Sequence, residues 1–230
     1  MNSFKLNLAK QQTVSLVNAD HPCSGLVDFV AKLRIDAFML DCEQGNIGFL
    51  DIEEMTRAAH LHEVSSIVRV PSPESWIIER YMMRGIDGLV IPRLDYASQV
   101  SKAIKDIRYC CPKNFEEKSI IIQVESDCAV KELDGFLKVP EVDCFFIGAV
   151  DLAKSMGYRG DYSQPEVMVT INEVIMRILD KGRCVGFMVK EHDIQFWQKK
   201  GVTMLYTHVN DFLSIGASQW LKMANLTSVL

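Results

Sequence analysis

Short apolar runs alternate with longer helical segments along the whole of this 230-residue chain. Eight runs have the β-branched and aromatic residues of strands that are buried on both faces. These strands are predicted at 13–17, 37–40, 66–70, 88–91, 119–124, 143–147, 184–188 and 204–207. Helices are predicted between them at 25–33, 51–62, 74–84, 97–108, 129–137, 164–181, 193–200 and 212–224. Eight strand–helix pairs predict an α/β fold of the (β/α)8 TIM-barrel type.

A doubly wound open sheet is the rival architecture for such a pattern. It usually has fewer strands and a glycine-rich turn after the first one. Here the first predicted strand runs into residues 18–22, Asn-Ala-Asp-His-Pro, and no GxGxxG motif is present. No linker rich in Pro, Gly or Ser divides the chain. The sequence therefore favours the barrel, as a single domain over residues 1–230.

Composition excludes several functional classes. Hydrophobic residues make up 48% of the chain, enough for a large core, and the net charge of -5 is spread along it without a basic stripe for nucleic acid. No apolar run reaches the ~18 residues that a membrane span needs. The amino terminus has no signal-peptide pattern, and the seven cysteines form no CxxC pair. We expect a cytoplasmic protein with no membrane or nucleic-acid partner.

Two acidic residues follow strands at the barrel edge where ligands bind. Glu125 closes the fifth predicted strand, and Asp151 lies just beyond the sixth. Two carboxylates converging there would repel each other unless a cation lies between them. Their oxygens suit Mg2+ or Mn2+, and a two-carboxylate site leaves open positions for water and for a 2-oxo acid whose enolate the metal can stabilise. Alternatively, each acid caps the helix that follows it.

Other polar residues are predicted at the same rim. Arg69 lies within the third strand, where a buried guanidinium requires a partner. It can bind a substrate carboxylate, stabilise an oxyanion, or form an internal salt bridge to Asp41 or Glu43. His21 and His208 can also face the rim, although a lone histidine is more often structural than a general base.

Together these strand ends resemble the HpcH/HpaI class II aldolase family, which lies in the phosphoenolpyruvate/pyruvate-type barrel superfamily and is related to the citrate lyase beta subunit. The resemblance covers nearly the whole chain. Its most specific segments are residues 41–44, Asp-Cys-Glu-Gln; 68–71, Val-Arg-Val-Pro; 90–92, Val-Ile-Pro; 123–125, Gln-Val-Glu; and 147–158, from Ile-Gly-Ala-Val-Asp to Met-Gly-Tyr.

The resemblance implies a role for each matching residue. Glu125 and Asp151 would bind the divalent metal, and Arg69 would stabilise the keto or enolate oxygen. Gln123 would lie beside the substrate. Gly148 and the backbone amides around Val150 and Asp151 would hold the substrate carboxylate. The implied activity is reversible aldol cleavage of a 2-oxo acid to pyruvate, or a close relative, and an aldehyde, by a homo-oligomer that is usually a hexamer.

The sequence departs from this family where proton transfer is expected. The family has a histidine at the position of Gln44 and its aspartate partner at the position of Met83, and a glutamine cannot move a proton near neutral pH. The segment 109–115 is also shorter than its family counterpart.

Three functions stay open on this sequence. The first is a carbon–carbon lyase that uses water, substrate groups or a residue such as His21 or His208 to move the proton. The second is decarboxylation or condensation of an oxaloacetate-like substrate, because loss of CO2 makes the enolate without a base. The third is a catalytically silent homologue that binds a keto acid.

Overall fold

The computed structural model describes residues 3–226, which form a closed barrel of eight parallel strands. The strands are β1 Val14–Asn18, β2 Ala37–Asp41, β3 Ser65–Arg69, β4 Gly88–Ile91, β5 Ser119–Val124, β6 Cys144–Ile147, β7 Cys184–Met188 and β8 Met204–His208. Each pairs with the next, and β8 pairs with β1 to close the ring. The predicted (β/α)8 TIM barrel is confirmed, and every predicted strand is present to within one residue at each end.

Helices surround this barrel. They are α1 Ser3–Ala9, α2 Ser24–Ala31, α3 Phe49–His60, α4 Ser75–Met82, α5 Ala97–Cys110, α6 Asp127–Lys131, α7 Leu133–Phe136, α8 Ala149–Ser155, α9 Pro165–Asp180, α10 Ile194–Lys199 and α11 Val209–Met223. The helix predicted at 129–137 is two short helices, α6 and α7. Among residues 3–226, none of the helices combines the length and the hydropathy that a membrane span requires.

The core has two layers, as strands buried on both faces require. One layer lies between the strands and the outer helices, and the other fills the barrel interior. The sequence analysis did not predict α1, which belongs to the inner layer. Its Phe4 and Leu8 are buried in the same cluster as Leu16 and Met39, and the carbonyl oxygen of Leu8 accepts a hydrogen bond from Cys184, the first residue of β7. This helix therefore closes the end of the barrel where the strands begin.

The segment after β6 also differs from the prediction. A loop was expected between residue 147 and the helix predicted at 164–181, but helix α8 begins directly after Gly148. Asp151 therefore lies in the first turn of a helix. Its position is fixed because α8 packs on the protein core through the buried side chains of Leu152 and Ala153.

Candidate active site

A cavity of about 390 Å³ opens at the carboxyl ends of the strands. The predicted residues Gln44, Arg69, Gln123, Gly148 and Asp151 all line it, together with Val150 from α8. A second, adjoining cavity shares Gln44 and Asp151 with the first. This second cavity is further lined by Glu43, Arg93, Asp95, Glu125 and Ser126. The folded chain thus brings the predicted site residues to one rim, with Glu125 in the adjoining recess.

Arg69 is held in place by acidic residues of β2 and of the turn that follows it. Its Nε and Nη2 donate to Oδ1 and Oδ2 of Asp41 at 2.8 and 2.6 Å, and its Nη1 lies 3.4 Å from Oε2 of Glu43. Asp41 is the neighbour of Arg69 in the β2–β3 register, so the pairing follows from strand order. The internal salt bridges expected for Arg69 are present, and the guanidinium still lines the cavity.

Glu43 connects this arginine to a second one. Its buried carboxylate accepts a hydrogen bond from Nε of Arg93 at 2.8 Å through Oε1, while Oε2 has no hydrogen-bond partner within residues 3–226. Arg93 adopts a left-handed backbone with φ of 59°, which is uncommon outside glycine. That conformation accompanies a hydrogen bond of 2.6 Å from its backbone N–H to Oε1 of Glu125.

Glu125 is a buried carboxylate with two hydrogen-bond donors. Besides the backbone N–H of Arg93, Nε2 of Gln123 donates to its Oε2. Burial raises the pKa of Glu125 to about 7; the Arg93 hydrogen bond opposes that rise, and the nearby charges of Glu43 and Asp151 add to it. A carboxylate whose charged form is disfavoured by burial in this way would be stabilised by a nearby cation.

Asp151 completes the acidic group from α8. Its Oδ1 accepts a hydrogen bond from Nζ of Lys154 at 2.8 Å, and about a third of its side chain is exposed. Gly148 allows the start of α8, the helix that carries Asp151, to lie close to Glu125. A β-carbon there would lie 2.8 Å from Cβ and 3.0 Å from Oε2 of Glu125. Only a glycine can bring the start of α8 this close to the end of β5.

The alternative reading of the two acids, as helix caps, does not match their contacts. Ser126, the residue after Glu125, is the cap of α6, and its Oγ accepts a hydrogen bond from the backbone N–H of Ala129 at 3.0 Å. Gly148 is the cap residue of α8, and Asp151 pairs with Lys154 within that helix. Both acids therefore keep carboxylate oxygens at the cavity.

The residues present fit a hard divalent cation. Within residues 3–226 no three His, Cys, Asp or Glu side chains form a ready-made metal cluster, so an ion would rest on Glu125 and Asp151 with water or substrate oxygens around it. Oε1 of Gln123 is a further acceptor, buried and without a hydrogen-bond partner in the described part of the chain. The competing cation at Asp151 is Lys154, whose side chain is more than half exposed.

Gln44 and Met83, the two positions at which the sequence resemblance led us to expect a missing proton-transfer pair, lie in different surroundings. Gln44 lines both cavities, and its backbone N–H donates to Oδ1 of Asp41 at 3.3 Å. Met83 follows the last residue of α4 and is 60% exposed. No carboxylate or imidazole is supplied by either position.

Sequence reasoning missed a second polar group in the cavity, on the side of β1 and β8. It consists of Asn18, Asp20 and Tyr206, which line the cavity together with His208. Nδ2 of Asn18 donates to the hydroxyl of Tyr206 at 2.9 Å. Asn18 and His208 are register partners across the β1–β8 seam, a contact that becomes visible in a sequence only once closure of the barrel is assumed. His21 is exposed, does not line the cavity, and bonds to Asn210 at 2.9 Å.

Comparison with known proteins agrees with this architecture. The chain is 30% identical to a hydroxypyruvate/pyruvate aldolase of Roseovarius nubinhibens, over 81% of this chain and 82% of that protein. In structure it resembles an HpcH/HpaI aldolase/citrate lyase family protein of Burkholderia cenocepacia, with a TM-score of 0.89, 21% identity and coverage of 98% and 100% of the two chains. It also resembles the citrate synthase SbnG, with a TM-score of 0.84, 20% identity and coverage of 96% and 98%.

These structural matches show the fold, while the family follows from sequence. The profile of one family matches residues 18–218, a span that contains every residue of the site described above. The chain belongs to the HpcH/HpaI aldolase/citrate lyase family.

Proposed function

We propose that this protein is a metal-dependent carbon–carbon lyase that acts on a 2-oxo acid such as pyruvate or oxaloacetate, with an aldehyde as the second substrate or product. The observation that carries the proposal is the convergence, at two adjoining cavities of one rim, of the fixed guanidinium of Arg69 with the carboxylates of Glu125 and Asp151. A keto acid presents a carboxylate and a carbonyl oxygen, which match a cation and a guanidinium. The 30% identical relative is named for such an activity.

Each residue would act on a different part of the substrate. Arg69, locked by Asp41, would donate hydrogen bonds to the carbonyl oxygen as negative charge develops there. The backbone amides around Val150 and Asp151, where the first turn of α8 leaves N–H groups without intrahelical acceptors, would bind the carboxylate. Gly148 would line this position without donating, because its own N–H is already bonded to the carbonyl oxygen of Val124 at 3.0 Å. Gln123 would contact the substrate beside Glu125, which its amide already holds in place.

Glu125 and Asp151 would hold Mg2+ or Mn2+, which supplies Lewis-acid stabilisation of the carbonyl oxygen's developing charge. The chain's own contribution is to keep these two oxygen ligands adjacent and the surroundings acidic. Glu43 adds negative charge without being needed as a ligand, since Arg69 and Arg93 already contact it.

A second candidate, decarboxylation or condensation of an oxaloacetate-like substrate, is favoured by Gln44. This residue lines the cavity where the family resemblance places a histidine, and it has no proton to exchange near neutral pH. Loss of CO2 from such a substrate yields an enolate without removal of a proton. The first candidate needs a base from elsewhere in the cavity.

Proton exchange tests the proposal directly. Purified protein with Mn2+ or Mg2+ is incubated with pyruvate in D2O, and the loss of the methyl proton signal is followed by NMR; oxaloacetate decarboxylation is followed in parallel. Exchange supports the lyase, and decarboxylation without exchange supports the second candidate. Neither reaction, at any metal concentration, would leave a catalytically silent keto-acid-binding homologue.

We also propose that the protein is a homo-oligomer, as the hexamers of the family would suggest. Large apolar side chains of α11 are exposed in the single chain, among them Leu213, Trp220 and Met223. Exposed apolar residues this close together are typical of an interface. Light scattering on the purified protein gives the mass, and Trp220→Glu would reduce it if α11 packs on a neighbouring barrel.

A further inference from the structure

One partly buried contact across the β1–β8 seam has no role in the function proposed so far. Nδ1 of His208, the last residue of β8, lies 2.6 Å from Oδ1 of Asp20, just beyond β1. Both residues line the main cavity. Since β1 is four strands from β5 in the closed ring, this pair stands across the barrel mouth from Glu125.

Asp20 is held in one orientation. Its Oδ2 accepts a hydrogen bond from the backbone N–H of Asn210 at 2.9 Å, and its own N–H donates to Oδ1 of Asn18 at 3.0 Å. It adopts a left-handed backbone with φ of 58°, which aspartate tolerates better than most residues. The Asp20 side chain is 10% exposed and that of His208 30%, so the carboxylate lies behind the ring.

This geometry suits an acid/base histidine. A carboxylate on Nδ1 fixes the tautomer that carries its proton on that nitrogen and stabilises the imidazolium when it forms. The other ring nitrogen, Nε2, has no hydrogen-bond partner in the described part of the chain, and it is the nitrogen left to exchange a proton with a ligand in the cavity.

The other polar side chains around His208 are either neutral or already bonded to another residue. Burial raises the pKa of Tyr206 well above its ordinary value; its ring packs edge-on to the imidazole, with centroids 5.1 Å apart. Asp211, which accepts a hydrogen bond from the backbone N–H of His208, is paired with Lys190 at 2.9 Å. His21 is bonded to Asn210. Asp20 is therefore the carboxylate that acts on the ring.

We propose that His208, positioned by Asp20, is the general base and acid of this site and supplies the proton transfer that Gln44 cannot. This inference rests on the proposed lyase function. In cleavage of a 4-hydroxy-2-oxo acid, Nε2 takes the proton of the C4 hydroxyl while the C3–C4 bond breaks. The hydroxyl becomes the aldehyde carbonyl, and the bonding pair passes into the enolate. The same proton then returns from Nε2 to C3, giving the 2-oxo acid.

The test compares proton exchange with CO2 release. Removing a proton from pyruvate in D2O needs a base, whereas decarboxylation of oxaloacetate makes the enolate without one. We expect His208→Gln to lower the exchange rate by about 10²–10⁴-fold, and to lower the ratio of exchange to CO2 release by a similar factor. Asp20→Asn should lower the same ratio by a smaller factor, because the ring remains but its tautomer is no longer fixed. Imidazole added to His208→Ala should restore part of the exchange.

His192→Gln is the matched control, since His192 is an exposed histidine that lies outside the cavity lining. It should exchange pyruvate protons at the rate of the unaltered protein. Circular dichroism and pyruvate binding by calorimetry check that each variant is folded.

The outcomes separate the inference from the function beneath it. Exchange in the unaltered protein that persists in His208→Gln overturns the role of His208 alone. CO2 release without any exchange in the unaltered protein also overturns it, and leaves the decarboxylase candidate. Absence of both reactions in the unaltered protein would contradict the proposed function and, with it, the role of His208.

Discussion

Arg69 of β3 and Asp41 of β2 meet in a two-point ion pair, with N–O distances of 2.8 and 2.6 Å, at neighbouring positions of the barrel register. Burial acts to raise the pKa of Asp41, but the hydrogen bonds and charge of Arg69 outweigh it and hold that pKa below its ordinary value. The guanidinium thus keeps one orientation before any substrate arrives.

Asp41→Asn should therefore destabilise the protein. The substitution leaves a buried guanidinium with one remaining acid, Glu43, at 3.4 Å, and we expect a loss on the order of 3 kcal/mol in the free energy of unfolding. Urea unfolding followed by tryptophan fluorescence measures it. Asp28→Asn is the control, because its ion pairs with Lys32 and His62 lie at the surface, and it should cost far less. Equal costs would show that the buried pair contributes no more than a surface one.

The two rim carboxylates are predicted to be required for metal binding. Glu125→Gln and Asp151→Asn should each weaken Mn2+ binding by more than about tenfold, since hard cations depend on charged oxygen ligands. Electron paramagnetic resonance of free Mn2+ gives the dissociation constants. Asp127→Asn is a neighbouring control whose carboxylate pairs with Lys131 at the surface of α6. If both rim variants bind Mn2+ as tightly as the control, the ion is held elsewhere.

Stability of the metal-free protein should fall as the pH rises from about 4.5 to about 7. The pKa of Glu125 is raised to about 7 in the folded chain, chiefly by burial, from an ordinary value of 4.5. Between these values the folded state binds more protons than the unfolded one, so ionisation costs up to about 3 kcal/mol above pH 7. Urea unfolding in chelator at pH 5 and pH 8 measures the difference.

Glu125→Gln isolates this effect, because a glutamine does not titrate. Its free energy of unfolding should change less between the two pH values than that of the unaltered protein. Added Mn2+ should reduce the pH dependence of the unaltered protein. A pH dependence that is identical in Glu125→Gln would assign it to other groups.

The fold was predictable because the pattern of an apolar strand followed by a helix is repeated eight times in the sequence. Each strand is a short apolar run between helical segments, and the closed barrel places all their carboxyl ends together. That is also why Arg69, Gln123 and Glu125 could be placed at strand ends from the sequence. Helix α1 was missed because only Phe4 and Leu8 mark its buried face. Two residues at helical spacing give too weak a pattern against a polar background.

Contacts across the seam could not be predicted residue by residue. Asp20 and His208 are 188 positions apart in the chain, and their contact depends on barrel closure together with the left-handed backbone at Asp20. The sequence indicated that His208 follows the last strand and can face the rim, but not which residue it contacts. The role of Gly148 was equally hidden, since it arises from the distance between two strand ends.

Gly148→Ala adds only one methyl group, but it should disturb the rim strongly. The added β-carbon would lie 2.8 Å from Cβ of Glu125, closer than folded proteins allow, so α8 or Glu125 must shift. We expect a loss of about 1–3 kcal/mol in the free energy of unfolding, with weaker Mn2+ binding. Gly216→Ala is the matched control, because nothing lies within 4 Å of its added carbon in α11, and it should be neutral or stabilising. Equal Mn2+ affinity in both variants would contradict a role for Gly148 at the rim.

Gln44→His is predicted to raise aldol cleavage only modestly. The new imidazole would line the cavity, but the neighbouring carboxylates of Asp41 and Glu43 are already paired with arginines, so neither is free to set its protonation state. Pyruvate release from a 4-hydroxy-2-oxo acid, coupled to lactate dehydrogenase, measures the gain, with Gln44→Asn as control. The same Gln44→His substitution is also measured in the His208→Gln variant, which lacks the proposed base. If His208 normally moves the proton, Gln44→His should recover activity there by a larger factor than in the unaltered protein, because two bases serving one step are not additive. Equal factors in the two backgrounds would mean that the histidines act on separate steps.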